Sequence, residues 1–345
     1  MKHIQNILFV LFLLFVTSSF AQSQMLYGAG TGLAGPGGGN VPSSLYMINP
    51  NTGEGTLIGP IGFNGVTGLE ILPDGRMVAS ANADIGGGGG GDMTITAEEQ
   101  YQQIAVLIEI NRTTGAGSLI GVLGSTANPG ECGRMPDISY DSNTGTLFGY
   151  SDACGGFDEL MEVEARFINY EGLYIINPNN ADVTFVGPSG FQDGGNGMAV
   201  RPSDGTIFHT PNDADGLVIL NRMTGAGTVI PASIGNVPQK IGALDFNSQT
   251  GVLFGVFKED RKMEEMRDAD IELNNDESLT YLVTINQQNG VTDMVGSTVA
   301  GLDAIVFADD VNQVPTLSEY GLIITGLLLL AGSVLVLRRR QKLSI

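Results

Sequence analysis

A phrase of about fifteen residues returns five times in this 345-residue chain and constrains its fold more than any other feature. It reads LYMINPNTGEGTLIG from Leu45, LIEINRTTGAGSLIG from Leu107 and LYIINPNNADVTFVG from Leu173. It returns as LVILNRMTGAGTVIP from Leu217 and LVTINQQNGVTDMVG from Leu282. A unit this small cannot bury its apolar face alone, so the copies must stack on one another. Each copy opens with alternating apolar residues, the pattern of a half-buried strand. Gly53, Gly115, Gly225 and Gly290 occupy the turn, where a positive φ is wanted. The third copy has Asn180-Ala181 there and is expected to turn differently.

A second hairpin completes each unit. Its first strand is VTGLEILP (66–73), DISYD (137–141), GMAVRP (197–202), GALDF (242–246) or LDAIVFA (302–308). Its second is RMVAS (76–80), TLFGY (146–150), TIFHT (206–210) or VLFGV (252–256). The fifth copy lacks this last strand, but MLYGA (25–29), of the same type, stands unpartnered near the start. The expected fold is therefore all-β: a β-propeller of five four-stranded blades, closed by the N-terminal strand, which removes the open sheet edge. Extra blades built from insertions, or an open β-solenoid, are the alternatives; the solenoid leaves the N-terminal strand unexplained. The repeat resembles a broad family of secreted bacterial propeller-like proteins with LYxINPxTGxxTxIG phrases, a family defined by its repeat rather than by an activity.

The two ends carry addresses. Lys2, the apolar run Ile7–Val16 and the small-residue exit Ser19-Phe20-Ala21 make a signal peptide over 1–21, with cleavage expected after Ala21. Residues 320–337 (YGLIITGLLLLAGSVLVL) are uncharged and long enough to cross a hydrocarbon core as a helix. Arg338, Arg339, Arg340 and Lys342 follow, which holds that end on the cytoplasmic side and places the body outside the inner membrane. Just before the helix stand Val314, Pro315, Thr316, Leu317, Ser318, Glu319, Tyr320 and Gly321. This string resembles the IPTL-type C-terminal sorting signal of Gram-negative bacteria, a relative of the PEP-type signals, with Val314 in place of Ile and Tyr320 in place of Trp. The resemblance implies surface or envelope sorting by an exosortase-like membrane enzyme, after signal peptidase has acted, and a membrane helix that need only be transient. The domain plan is 1–21 signal peptide, 25–311 propeller-like repeat domain, and 312–345 sorting signal with its basic tail.

The formal charge is −21. Removing residues 1–21 and 315–345 takes away five of 16 basic residues and one of 37 acidic residues, which leaves the body near −25. Such a surface repels nucleic acid and anionic lipid. Cys132 and Cys154 are the only cysteines, and in an exported chain a lone pair reads as a disulfide. With a two-residue turn at Asn143-Thr144, paired positions of the 137–150 hairpin sum to 287, and the two cysteines fall almost opposite each other at its open end.

Copy starts lie 62, 66, 44 and 65 residues apart against a unit of about 37, and the surplus falls between the last strand of one unit and the first of the next. Insertions 82–103, 152–172 and 258–281 should therefore leave the ring on one face. They are acidic: Asp158, Glu159 and Glu162 lie in one, Glu264, Glu265 and Asp268 in another. These residues form a candidate binding face for a glycan or a surface protein, with Ca²⁺ as a candidate ion, since calcium uses clustered carboxylates. No cofactor is otherwise indicated.

Catalytic motifs are sparse. His209 is the one histidine beyond the signal segment, and within the strand TIFHT it reads as a satisfied structural residue. There is no HExxH, CxxC or Walker loop. The chain lacks Trp, which weakens sugar stacking, though Tyr27, Tyr46, Tyr101, Tyr150, Tyr170 and Tyr174 remain. The reading is an exported, non-catalytic propeller that binds through its insertion face, with no catalytic residue assigned. The alternative is a secreted propeller enzyme acting on a polysaccharide or ester through carboxylates.

Overall fold

A computed structural model describes residues 24–31, 42–83, 104–124, 132, 134–151, 171–191, 197–211, 214, 216–238, 241–259 and 279–308. Within this set Gln24–Ala308 make one compact unit. The signal segment, the sorting string, Arg338–Arg340, the helix over 320–337, Cys154 and the six insertion acids lie outside the described residues. Among the described residues no helix is long and apolar enough to cross a membrane.

The chain is all-β and propeller-like. Its strands are β1 (Met25–Gly30), β2 (Pro42–Ile48), β3 (Gly55–Ile71), β4 (Met77–Ala83), β5 (Ile104–Ile110), β6 (Gly117–Val122), β7 (Asp137–Asp141), β8 (Thr146–Ser151), β9 (Gly172–Ile176) and β10 (Val183–Pro188). They continue with β11 (Gly197–Val200), β12 (Ile207–Thr210), β13 (Val218–Leu220), β14 (Gly227–Val229), β15 (Ile241–Phe246), β16 (Leu253–Glu259), β17 (Leu279–Ile285), β18 (Thr292–Ser297) and β19 (Leu302–Ala308). Three sheets have four strands, and one has seven in the order β19-β1-β2-β3-β4-β5-β6. The seven-stranded sheet is two blades fused through β3. Its first half pairs with β2 and its second half with β4. The sequence pattern divides this stretch into two strands; the backbone runs through it as one of 17 residues.

We take β19, β1, β2 and the first half of β3 as the first blade, and the rest of β3 with β4–β6 as the second. Strands β7–β10, β11–β14 and β15–β18 form the third, fourth and fifth. The N-terminal strand lies between the last strand and the second: Met25 pairs with Ala308 on one side, and Leu26 with Ile48 on the other. The leading strands β3, β7, β11, β15 and β19 each neighbour the next, and β19 neighbours β3. Five apolar clusters fill the spaces between successive blades. One of these clusters, with Leu26, Val256, Leu282 and Ile305, draws its residues from β1, β16, β17 and β19.

The repeated phrase is explained by two local devices. The asparagine that opens each turn accepts from the backbone N–H two residues on, at 2.9 Å for Asn49, Asn111, Asn221 and Asn286 and 3.0 Å for Asn177. The glycine that ends the phrase is where the next blade's turn lands. A Cβ on Gly59 would lie 2.2 Å from the Thr114 carbonyl oxygen, on Gly187 2.0 Å from that of Thr224, and on Gly296 2.1 Å from that of Thr52. Gly121 meets Asn180 O at 2.7 Å. The contact between Gly296 and Thr52 runs from the fifth blade back to the first. In the fourth blade, where Pro231 replaces glycine, a 3-10 helix at Pro231–Ser233 meets the turn at Gly290 instead.

Two expectations are corrected. The third copy does not turn differently: Ala181 takes φ 64° and its N–H bonds to Asn177 O, as Gly53 does to Asn49 O. The 142–145 turn has four residues rather than two, but the register is as expected, from Asp137 opposite Tyr150 to Asp141 opposite Thr146. A β-bulge before the terminal glycine recurs at Ile58, Ile120, Val186 and Val295. It twists each outer strand, a device that blunts an exposed sheet edge.

Candidate functional site

A blade's leading strand is paired on one side only. The N–H groups on its other side point toward the previous blade and need acceptors. Five equivalent groups, on Ile71, Tyr140, Val200, Phe246 and Phe307, pose this problem. Glu70 answers for two of them: one carboxyl oxygen accepts from its own neighbour Ile71 and the other from Tyr140 of the next blade, both at 2.7 Å. Ser139 Oγ accepts from Val200 N at 3.0 Å. Asp245 accepts from Phe307 N at 2.6 Å and from its own neighbour Phe246. The equivalent positions in the other two blades, Ala199 and Val306, carry no acceptor. Two acids and one serine thus serve all five groups.

Two residues earlier on β7, Asp137 repeats the arrangement. It accepts from Ile138 N at 2.8 Å and from Met198 N of the next blade at 2.7 Å. The three acids feel one another. Burial raises Glu70 to about 7, against the opposing hydrogen bonds from Tyr140, Ile71 and Ser139. Burial also lifts Asp137 well above the usual carboxylate range, and the charges of Asp245 and Glu70 add to the lift. Asp245 is raised by burial and then by the Glu70 charge. On β19, Asp303 is neutralised by an ion pair with Lys258.

A second polar group sits between the third and fourth blades. The Tyr150 hydroxyl donates to Glu171 at 2.6 Å and lies 2.9 Å from Ser189 Oγ. Its ring packs 3.9 Å from that of His209. His209 lies on β12, as expected, but it is only half satisfied: Nδ1 bonds Gly197 O at 2.8 Å, while buried Nε2 has no partner. Burial pushes it down to about 4, with the Gly197 bond opposing.

The other sequence candidates fare differently. Tyr27, Tyr150 and Tyr174 are buried in the apolar clusters, which removes them from any stacking surface. Lys258, Glu259 and residues 279–281 belong to β16 and β17 rather than to an insertion. Cys132 is disulfide-bonded, and no cysteine among the described residues is free. Among the described residues no group of three or more His, Cys, Asp or Glu side chains could hold a metal ion. Sequence reading missed Glu70, Asp137 and Asp245. The available signal was an acid at an apolar-side position of a leading strand, since charged residues are seldom fully buried without a partner.

The fold and these contacts define a propeller-like body with a polar, backbone-bonded centre. The C-terminal segment defines the rest: the IPTL-CTERM motif matches residues 312–341, as the resemblance at Val314–Gly321 implies. The protein is accordingly a secreted, cell-envelope or surface-exposed protein of a Gram-negative bacterium. No curated protein matches the chain. Among solved structures, a chain of a nidogen/laminin complex is similar at 10% identity, over 83% of this chain and 98% of that one, with TM-score 0.47. A gluconolactonase from Xanthomonas campestris is similar at 12% identity, over 82% and 79%, with TM-score 0.42. An auxiliary nutrient binding protein from Bacteroides ovatus is similar at 10% identity, over 82% and 50%, with TM-score 0.37. The three differ in what they do, and likeness at this level assigns no activity.

Proposed function

We propose that the chain is a closed, five-bladed, non-catalytic propeller, sorted to the cell envelope or extracellular matrix, where it binds a glycan or surface protein through its insertion-bearing face. The observation that carries this reading is the use of the central acids. Each oxygen of Glu70 and Asp137 accepts a backbone N–H, and Asp245 accepts two. A general acid or a nucleophilic carboxylate must instead reach a substrate proton or carbon. The acids hold blade to blade.

The strand order supports the binding face. Segments 84–103, 152–170 and 260–278 each join the second strand of a blade to its third: β4 to β5, β8 to β9 and β16 to β17. Equivalent connections leave a propeller on the same side, and loops on a rigid frame are where recognition concentrates. Sorting fits a binder: after removal of residues 1–21, an exosortase-like enzyme processes the tail at the membrane, with residues 320–337 as its transient helix. We assign Cys154 as the partner of Cys132, which ties the 152–170 insertion to the third blade; non-reducing peptide mapping tests that bond. Screening the exported chain on a glycan array and a polysaccharide and ester hydrolase panel tests the whole reading. Saturable binding without turnover is expected. Turnover that vanishes in Glu70→Gln or Asp245→Asn, with the fold intact, establishes the enzyme alternative.

A further inference from the structure

We propose that His209 is an acid-sensitive latch between the third and fourth blades: neutral, it seals their interface, and charged, it opens the fourth blade. The proposal begins with the repeat. Strand pairing places His209 opposite Met198. The equivalent positions are Ala79 opposite Leu69, Gly149 opposite Ile138, Gly255 opposite Leu244 and Gly28 opposite Ile305. Four blades have a residue with a methyl or nothing here; the fourth has an imidazole.

That imidazole is fully buried. Its Nδ1 faces the Gly197 carbonyl oxygen, an acceptor only, so Nδ1 carries the hydrogen and Nε2 presents a lone pair. Nε2 is buried without a hydrogen-bond partner. A neutral ring leaves one weak acceptor unused. A charged ring buries a cation with an N–H that has nothing to donate to, which is far costlier.

Among the described residues no charged side chain is bonded to the ring. From the third blade, Asp137 on β7 has its oxygens on Ile138 and Met198 N–H groups and sits well above the usual carboxylate range through burial. Tyr150 on β8 packs against the ring at a 31° tilt and donates its hydroxyl to Glu171, the residue before β9. Neither β11 nor β13 carries a titratable side chain.

The fourth blade is also the one built to yield. Strands β13 and β14 have three residues each, Ala199 offers no acceptor to the fifth blade, and Pro231 replaces the glycine that receives the next turn. Elements with few backbone pairs open at the lowest cost. An opened blade exposes His209 to water, where it takes a proton near pH 6.5; in the closed blade burial holds it down to about 4. Acid therefore pulls the equilibrium toward the open form, by about a hundredfold between pH 7.5 and pH 4. Glu70, Asp137 and Asp245 have raised values and favour the folded state in acid, so they cannot cause this opening.

The test uses the exported chain with histidine labelled in ¹⁵N; once residues 1–21 are removed, its one ring signal comes from His209. We expect the His209 Nε2 signal to stay unprotonated below pH 5. Amide protection in β11–β14, corrected for intrinsic exchange, should fall about a hundredfold from pH 7.5 to 4. Protection in β4 and β5 should fall far less, and His209→Phe should abolish the difference. The latch is overturned if the ring titrates near 6.5 in the folded chain, if all blades lose protection together, or if His209→Phe opens as the wild type does. Should that variant not fold, the wild-type titration and blade-by-blade protection decide alone.

Discussion

The glycine that ends the repeated phrase should be graded in importance by how closely the next blade's turn approaches it. Replacing glycine by alanine adds one carbon at a known place. At Gly187 that carbon would sit 2.0 Å from the Thr224 carbonyl oxygen, at Gly296 2.1 Å from Thr52 O, and at Gly59 2.2 Å from Thr114 O. The obstacle is backbone within a hydrogen-bonded turn: Gly225 N to Asn221 O, for example, is 2.8 Å. Relief needs a shift of about 1 Å, and overpacking of this kind costs roughly 1–3 kcal/mol. We expect the upper end at Gly187, Gly296 and Gly59. At Gly121 the carbon lies 2.7 Å from Asn180 O, and a smaller shift suffices. Loss of unfolded-state entropy returns about 0.4–1 kcal/mol at each site, so Gly121→Ala should be the least costly of the four. None of the four glycines has a positive φ, so alanine adds no backbone strain. In a chain of this size about 3 kcal/mol lowers Tm by roughly 6–12 °C. Urea unfolding of the four variants, with m checked for constancy, gives the order directly. If Gly121→Ala costs as much as Gly187→Ala, or if Gly187→Ala is neutral, turn docking does not account for the repeat.

Other outcomes follow from the ring's centre. Asp137→Ala orphans two buried N–H groups and should cost roughly 2–6 kcal/mol, whereas Asp137→Asn keeps one acceptor and should cost less than half of that; denaturant midpoints measure both. Glu70, raised to about 7 by burial, binds its proton more tightly folded than unfolded. Its contribution to stability is therefore complete below about pH 4.5 and is lost as pH rises through 7. Thermal melts of wild type and Glu70→Gln from pH 4.5 to 8 should differ in slope, with the wild type losing more on the alkaline side. A wild type and variant with parallel profiles contradict the raised value. Reducing the disulfide at Cys132 should lower stability without altering the pairing of β7 with β8, which amide exchange reads.

Much of the architecture is legible because it is written as a period. The Asn-x-x-x-Gly turn spacing, the alternation in LYMI and LYII, and the missing fifth closing strand answered by MLYGA all follow from one repeated physical problem. The 137–150 register came out as expected because four-residue and two-residue turns about the same centre give the same pairing. Features that break the period were harder to read. Ala181 occupies a left-handed turn position because its neighbours enforce the shared geometry, and local preference argues against it. Glu70 and Asp137 sit in GLEI and DISYD, where alternation marks a strand but not which edge lies open. Their role depends on N–H groups 70 and 61 residues away, on Tyr140 and Met198. His209 would have been found by aligning TIFHT with TLFGY, VLFGV and MLYGA, since an imidazole in a glycine column is an exception that needs a reason.

Binding decides the central claim. The exported chain and a variant lacking 84–103, 152–170 and 260–278 should be compared for equilibrium binding to envelope and matrix preparations, with unfolding curves confirming that the ring survives. The account predicts loss of binding in the variant, an intact cooperative unfolding transition, and no turnover by either protein. Undiminished binding by the variant, or hydrolysis that disappears in Asp137→Asn, would contradict it.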